Sequence, residues 1–264
     1  MKKSLMTLGV LALFVLMAYG QEKKFALYSV AFYNMENLFD TIHDEGKNDY
    51  EYLPNGTNQW NTMKYKAKLK NMSEILSMLS TDKLPMGPAI IGVSEIENYR
   101  VLEDILKQPA LADRGYQYVH YEGADQRGVD CAFFYNPKLF ELTNSKLVPY
   151  VYINDTVHKT RGFLIASGNI AGEKMHFIVN HWPSRAAASP VRERAGEQVR
   201  AIKDSLLRED SAAKIVIMGD MNDDPMDKSM AVALGAKRKP ADVGPTDLYN
   251  PWWDTLKKGY GTLM

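Results

Sequence analysis

Four apolar segments of the chain end in side chains that can bind a metal ion or move a proton. The most pronounced is Ile215–Met218, which runs through a glycine into Asp220 and Asn222, with two further acids behind them. A strand-to-helix turn needs one or two such residues. The excess in "IVIMGDMNDDP" therefore indicates a functional site.

The same arrangement recurs after three other apolar segments. The segment that ends at Val93 is followed by Glu95, and the one that ends at Val179 is followed by His181. The segment "VAFYN", which closes with Asn34, runs into further polar residues. Ligand sites in α/β proteins favour the ends of strands. We therefore expect these side chains to converge at one edge of packed sheets.

The elements that must position these residues are short strands and two longer helices. Runs rich in β-branched and aromatic residues predict strands at Phe25–Tyr33, Ala89–Val93, Tyr116–Tyr121, Val129–Tyr135, Phe163–Ile170, Met175–Val179 and Ile215–Met218. Apolar residues at helical spacing predict helices within Thr62–Leu79 and Pro190–Leu207. Strand–helix–strand occurs on both sides of a hairpin-like region, which indicates two similar halves. Near-continuous apolar strands need cover on both faces, so helices should pack outside mixed sheets.

The composition is that of a globular protein with a substantial core. The chain has 264 residues, 45% of them hydrophobic and 24% charged, and no repeat or low-complexity linker divides it. We therefore expect one domain over residues 21–264. Its single cysteine, Cys131, allows no internal disulfide and is expected in the core. The formal net charge of +0 provides no overall basic field for non-specific nucleic-acid binding.

The first 20 residues have the form of a secretory signal peptide. Two lysines precede the apolar run Leu5–Ala18, and small residues stand at Ala18 and Gly20, the positions that a signal peptidase recognises. The run is shorter than the roughly 20 residues that a membrane span needs. We expect cleavage before Gln21, a periplasmic or secreted product, and no stable membrane association after cleavage.

With these motifs in this order, the chain resembles the endonuclease/exonuclease/phosphatase superfamily, which has the deoxyribonuclease-I-like fold. The resemblance extends from about Phe25 to the C-terminus. It implies an α/β (α+β) fold in the form of a four-layer αββα sandwich, with two mixed β-sheets flanked by helices. It also implies hydrolysis of phosphate esters with a divalent metal, for which Mg²⁺ is the expected ion and Mn²⁺ and Ca²⁺ are alternatives.

The resemblance implies a role for each motif residue. Glu95 in "SEIEN" is similar to the metal-binding glutamate of the family, and Asn34 in "FYNMEN" to the asparagine beside the metal and the phosphate. His181 in "NHWPSR" resembles the catalytic histidine of the secreted nucleases. Asp220 and Asn222 in "GDMND" resemble the pair that handles the nucleophilic water and the phosphate.

Three further residues are weaker candidates for substrate binding. Arg127 and Asp130 in "RGVDCAFFY" fall where the family has the start of a strand near the site. Arg185 is placed to contact phosphate, although a solvated helix face is an equally good interpretation. Each candidate alone also fits an ordinary turn, cap or surface residue, and only their joint occurrence in order indicates a site.

The function that these residues predict is that of a divalent-metal-dependent phosphodiesterase or phosphatase, with an exported, monomeric nuclease as the leading interpretation. A lipid or sugar phosphatase of the same fold is the alternative within the enzymes. The family normally ends in further strands that carry an Asp-His pair, whereas this sequence stops at "WWDTLKKGYGTLM". The resemblance therefore predicts a C-terminally truncated domain. A catalytically impaired member that acts only as a binding module stays open.

Overall fold

The computed structural model describes residues 26–155 and 157–260. The expected signal peptide and Phe25 lie outside these ranges. Within them, eight strands form two four-stranded sheets. Both sheets are mixed, as the sequence predicts, and each contains one parallel strand pair.

The first sheet is built from the N-terminal half of the chain. Its order is β1-β2-β4-β3, with bounds β1 (Val30–Leu38), β2 (Ile90–Ile96), β3 (Gln117–His120) and β4 (Asp130–Tyr135). The strands β1 and β2 are parallel, whereas β4 is antiparallel to both of its neighbours. The parallel pair requires a crossover connection, which a helix supplies.

The second sheet is built from the following part of the chain. Its order is β5-β6-β7-β8, with bounds β5 (Glu141–Val148), β6 (Phe163–Ile170), β7 (Glu173–His181) and β8 (Lys214–Asp220). Here the hairpins come first and the parallel pair, β7 and β8, comes last. The two sheets thus carry their parallel pairs at opposite ends of the chain.

Helices cover the outer faces of both sheets. The α-helices are α1 (Thr62–Ser77), α2 (Tyr99–Leu106), α3 (Ser189–Glu209) and α4 (Trp252–Lys257), with a π-helical turn at Ser229–Leu234 and 3₁₀ turns at Tyr50–Tyr52, Ala112–Arg114 and Pro240–Asp242. Helices α1 and α2 pack on the first sheet, and α3 and the π-helical turn pack on the second. Of the helices described, none is long and apolar enough to cross a membrane.

The core has three apolar layers. Alternate residues of a strand point to opposite faces, so Ile91 and Phe134 pack under α1 and α2, whereas Ile90 and Phe133 face the second sheet. Between the sheets, Phe133 and Phe177 have ring centroids 5.9 Å apart. Cys131 lies buried in this layer, as expected. The four-layer αββα sandwich is confirmed.

The predicted elements are present, but several boundaries differ. Strand β1 begins at Val30, and β2, β7 and β8 continue into the polar residues that the sequence placed after them. Strand β5 and helix α2 were not predicted. All eight β5 side chains are exposed or half-buried, so β5 has no buried apolar face to mark it. Helix α2 is amphipathic, with Val101, Leu102 and Ile105 buried, but its eight residues are shorter than the segments over which helical spacing is recognised.

Candidate active site

The ends of the two parallel strand pairs bring four of the predicted residues together. In the first sheet Asn34 lies opposite Ser94, next to Glu95, and in the second His181 lies opposite Asp220. Ligand atoms of Glu95, His181 and Asp220 all lie within 4.8 Å of one another. The site is therefore assembled from both sheets.

Hydrogen bonds of Asn34 connect the two carboxylates of this group. Its amide Nδ2 donates to Glu95 Oε1 at 3.2 Å and to Asp220 Oδ2 at 3.0 Å. His181 Nε2 lies 3.5 Å from the same Glu95 oxygen. Two carboxylates this close repel each other, and the amide hydrogens of Asn34 offset part of that repulsion. Asn34, Glu95, His181 and Asp220 are called the four-residue group below.

The backbone on the first-sheet side is held in an unusual conformation. Glu36, Asn37 and Glu95 have φ values of 52°, 58° and 58°, in the left-handed region that residues other than glycine rarely adopt. The pairing of β1 with β2 is irregular between Asn34 and Leu38. The irregularity turns the Asn37 amide so that it donates to Glu95 Oε2 at 2.9 Å. Strained backbone of this kind clusters at functional sites because it aims particular side chains.

On the second-sheet side, Gly219 permits the close approach of β8 to β7. Its φ is 152°, and a Cβ atom added there would lie 2.2 Å from the Asn180 carbonyl oxygen. Beyond it, the Asn222 amide N–H donates to Asp220 Oδ1 at 3.0 Å, which orients that carboxylate. Asn222 Nδ2 donates to the Trp182 carbonyl at 3.0 Å. Asn222 therefore lies beside the four-residue group and uses one amide hydrogen to hold the turn.

The imidazole of His181 is buried and electrically neutral. Burial, followed by the charges of Arg161 and Arg127, lowers its pKa to about 2. Its Nδ1 atom is buried and has no hydrogen-bond partner among the described residues. The ring in this state is therefore an imidazole and not an imidazolium.

Arg161 is a residue that sequence reasoning missed. Its side chain is buried: Nη1 donates to Asp125 Oδ2 at 3.0 Å and Nη2 to the Trp182 carbonyl at 2.8 Å. Its Nε is buried without a partner among the described residues. The residue stands in a polar loop before β6 and does not follow an apolar strand, so neither periodicity nor spacing could identify it. The structure nevertheless places this cation against the residue that follows His181.

The three weaker candidates are placed differently from the four-residue group. Arg127 is half-exposed and lies near enough for its charge to act on His181. Arg185 donates to the Asn222 carbonyl at 3.0 Å and pairs with Asp224 at 3.1 Å, so an acid already offsets its charge.

Asp130 is buried in a separate group. Its Oδ2 atom lies 3.2 Å from His120 Nε2 and accepts from the Gly123 amide at 3.0 Å. Glu122 completes a second set of potential ligands with His120 and Asp130. The described contacts of Asp130 are thus with this set and not with the four-residue group.

The four-residue group fits a divalent cation. It offers two carboxylates and an imidazole nitrogen, and carboxylate oxygens are donors that hard cations prefer. The Asn34 amide lies beside them: its Nδ2 faces both acids, and its Oδ1 accepts from the Glu36 amide at 2.8 Å. A cation between the two carboxylates would take over the role of the Asn34 amide group, which now donates to both of them. The donor set alone does not select among Mg²⁺, Mn²⁺ and Ca²⁺.

Comparison with known proteins agrees with this architecture. A sequence model described as "Endonuclease/Exonuclease/phosphatase family" matches residues 29–264. No curated protein matches the chain significantly. Among solved structures, D. rerio TDP2 complexed with single-strand DNA product has a TM-score of 0.52 at 17% identity, and the match covers 79% of this chain and 65% of that one.

Two further structures share the fold. A humanized D. rerio TDP2 with 14 mutations has a TM-score of 0.51 at 17% identity, with 77% of this chain and 65% of that chain covered. ANGEL2, described as a 2′,3′-cyclic phosphatase, has a TM-score of 0.51 at 13% identity, with 66% and 48% covered. The chain thus spans about two thirds of the length of TDP2. At these identities the likeness concerns the fold alone.

Proposed function

Since this chain belongs to the endonuclease/exonuclease/phosphatase family, we propose that it is a Mg²⁺-dependent hydrolase of phosphate esters that cleaves phosphodiesters in nucleic acid. One observation carries the proposal: Asn34, Glu95, His181 and Asp220 converge from four strands of two sheets. Parallel strand ends that deliver carboxylates, an imidazole and an amide to one point suit phosphate chemistry better than a structural role.

In this proposal Glu95 would hold the divalent ion, with the Asn34 side chain beside it and Asp220 facing it. A bound Mg²⁺ would offset the negative charge of the phosphate and stabilise charge that develops in the transition state. The Asn37 amide fixes Oε2 of Glu95, so Oε1, which Asn34 Nδ2 contacts at 3.2 Å, is the oxygen that would act as a ligand. Asn34 is the positioning residue, because it contacts both acids.

The remaining residues act on water and phosphate. Asp220, oriented by the Asn222 amide, accepts a proton from the attacking water. His181 is neutral, so its ring donates one N–H hydrogen bond to a phosphate oxygen in the tautomer that carries the hydrogen on Nε2. The free hydrogen of the Asn222 side chain donates to a second phosphate oxygen. General acid–base groups of this kind contribute about 10²–10⁴-fold each.

Nucleic acid is the proposed substrate for two reasons. The fold is shared with D. rerio TDP2, whose structure contains a single-strand DNA product. In this chain Arg127 is half-exposed, pairs with Asp125 at 3.5 Å and lies near enough for its charge to act on His181, so its exposed guanidinium is the group that would meet a second phosphate of a polymer. Export to the periplasm or the medium belongs to the same proposal and is supported by the signal-peptide pattern of residues 1–20.

The proposal is tested by hydrolysis of bis(p-nitrophenyl) phosphate and of single-stranded DNA. We expect turnover of both with Mg²⁺ and none with EDTA, and parallel assays with Mn²⁺ and Ca²⁺ identify the preferred ion. Glu95→Gln should reduce kcat/KM by at least about 10²–10³-fold, because it removes a charge that acts in the transition state. Glu103→Gln is the matched control, since Glu103 lies on the outer helix α2.

Metal binding gives a second readout that does not depend on turnover. Calorimetric titration with Mn²⁺ should show one site in the wild type and in Glu103→Gln, and a weakened site in Glu95→Gln. Normal turnover by Glu95→Gln would eliminate the site as assigned. Turnover of the aryl ester without turnover of DNA would favour the small-phosphate alternative over a nuclease.

A further inference from the structure

A cleft of about 360 Å³ lies between the loop after β3 and the segment that joins β5 to β6. It is lined by apolar and aromatic side chains together with a few charged ones, which include Leu147, Tyr150, Tyr152, Glu122, His158 and Lys159. Small-molecule sites have volumes of roughly 300–1,000 Å³ and the same mixed lining. The cleft is thus large enough for a single cyclic group and too small for a polymer.

The cleft adjoins the candidate active site through Arg161. Thr160 and Gly162, the neighbours of Arg161 in the chain, both line the cleft. Arg161 Nη1 donates to Thr160 Oγ1 at 3.1 Å, and Nη2 donates to the carbonyl of Trp182, which follows His181. One guanidinium group therefore separates the wall of the cleft from the strand end that carries the catalytic imidazole.

Aromatic rings form one wall of the cleft and are held in place. Tyr150 is buried, and its hydroxyl donates to the Val191 carbonyl at 2.9 Å. The Tyr152 ring packs edge-on against it, with centroids 4.6 Å apart, and the His158 ring lies 6.3 Å from Tyr152. A pre-positioned aromatic wall favours a flat ligand, because aromatic rings and nucleobases stack with little loss of side-chain freedom.

The described residues that line the cleft carry no excess of cations. They include the acids Glu122 and Asp155 and the cation Lys159, and His158 Nδ1 lies 2.5 Å from Asp155 Oδ2. A second phosphate would need an excess of cations, and an acyl chain would need an uninterrupted apolar lining. A neutral ring with polar edges suits both the aromatic wall and the polar groups around it.

We propose that this cleft binds a nucleobase or a comparable planar aromatic group of the substrate, joined through its ester to the phosphate that is hydrolysed at the four-residue group. The inference rests on the proposed function, since Arg161 lies between the cleft and the strand end that carries His181. It adds a specificity element that lies outside the four-residue group and selects the organic part of the ester.

The test compares esters that share one leaving group. Opposite the shared p-nitrophenyl group, thymidine 5′-(p-nitrophenyl phosphate) carries a base, phenyl p-nitrophenyl phosphate carries a plain ring, and methyl p-nitrophenyl phosphate carries only a methyl group. The wild type should prefer the first two. Tyr152→Ala should lower kcat/KM for the thymidine ester about tenfold and leave the methyl ester unchanged, as expected for the loss of one stacking contact. The phenyl ester shows whether any planar ring suffices.

Two control variants separate this effect from damage to the fold. Tyr152→Phe keeps the ring and should retain the preference for the thymidine ester. Tyr249→Ala removes a half-exposed tyrosine near Thr246, whose carbonyl binds Lys203 of α3. Lys203 lies 12 residues beyond Val191, or roughly 18 Å along the helix from the tyrosine wall. Tyr249→Ala should therefore leave all three esters unaffected.

Failure of the cleft assignment and failure of the proposed function give different experimental results. Equal loss on every ester, or no loss on any, in Tyr152→Ala overturns the cleft assignment and leaves the hydrolase intact. Absence of turnover of every ester by the wild type overturns the proposed function. In that case calorimetric binding of thymidine 5′-monophosphate decides the cleft assignment. Weaker binding by Tyr152→Ala than by the wild type supports it. Equal binding by the two proteins, or no detectable binding by the wild type, overturns it.

Discussion

The two parallel strand pairs, β1–α1–β2 and β7–α3–β8, perform the same structural task by different means. Both are joined by a crossover helix and both deliver polar side chains to the same point. The first unit holds its glutamate with left-handed backbone at three residues other than glycine. The second unit relies on burial, because His181 and the adjoining Trp182 are nearly inaccessible to solvent.

The two units also differ in how they hold the side chain that they deliver. In the first unit Glu95 is largely buried, and its carboxylate accepts from the Asn37 amide. In the second unit, burial keeps the imidazole uncharged. Two similar folding units can thus supply a carboxylate and a neutral imidazole to one site.

The largest expected effect on stability concerns the arginine of each half. Arg161 and Asp125 form a buried pair at 3.0 Å, and in Arg161→Met the Asp125 carboxylate keeps, among the described residues, only Arg127, through its guanidinium at 3.5 Å and its backbone amide. We expect a loss of about 3 kcal/mol in the free energy of unfolding, at the lower end of the range for breaking a buried pair. Arg100 in the first half is 31% exposed, against 8% for Arg161. It pairs with both Asp40 and Asp44.

Arg100→Met is the matched variant in the first half. It should cost less, about 1–2 kcal/mol, because water reaches the Arg100 guanidinium although Asp40 is buried. Urea denaturation of both variants measures the difference. Equal losses in the free energy of unfolding for the two variants would show that the burial of the arginine does not distinguish the two halves.

The next effect concerns the close approach of β7 and β8. Gly219→Ala places a Cβ against the Asn180 carbonyl and should cost about 2 kcal/mol or more, because backbone and not a flexible side chain must move. Gly172→Ala is the control. Gly172 also has a positive φ, 81°, but nothing lies within 4 Å of its added Cβ, so only the strain of about 1 kcal/mol remains.

The midpoint of thermal unfolding checks this pair of variants. A larger shift for Gly219→Ala than for Gly172→Ala would attribute the cost to the contact between strands. The reverse order would show that the end of β8 can move away from β7, so that burial of the second unit does not depend on this glycine.

Much of this architecture follows from the sequence because apolar periodicity is a property of single segments. The strands around Ile91, Phe133, Ile165 and Ile178 are nearly continuous apolar runs, so their burial could be predicted. Strand β5 could not, since it forms the edge of its sheet and needs few apolar residues. Its pairing depends on a partner that no local pattern reveals.

The candidate site was also predictable only in part, because local patterns do not reveal contacts between residues that are distant in the sequence. Asn34, Glu95, His181 and Asp220 follow apolar strands, so their convergence could be expected. The left-handed backbone at Glu36 and Asn37 could not, because glutamate rarely adopts it and only the tertiary structure maintains it. Arg161 acquires its significance from Asp125 and Trp182, which are distant in the sequence.

The smallest expected effect concerns the first turns of the two crossover helices. The side chain of Asn61 caps α1 by accepting hydrogen bonds from the Met63 and Lys64 amides, whereas Ala188 at the start of α3 offers no such acceptor. Asn61→Ala should therefore cost about 1 kcal/mol in the free energy of unfolding. Ala188→Asp should stabilise the protein by about 0.5–1 kcal/mol, because Ala188 already has the extended conformation of a cap residue.

Urea denaturation again provides the measurement, with Ala188→Leu as the control that adds bulk without an acceptor. A gain for Ala188→Asp alone would show that α3 lacks only its cap. If neither substitution raised the midpoint, Pro190 in the first turn of α3 would already satisfy the requirement for a cap, because proline has no amide hydrogen to be left unpaired and presets the helical φ. The first crossover helix would then begin with a side-chain cap, Asn61, and the second with a proline in its first turn, Pro190.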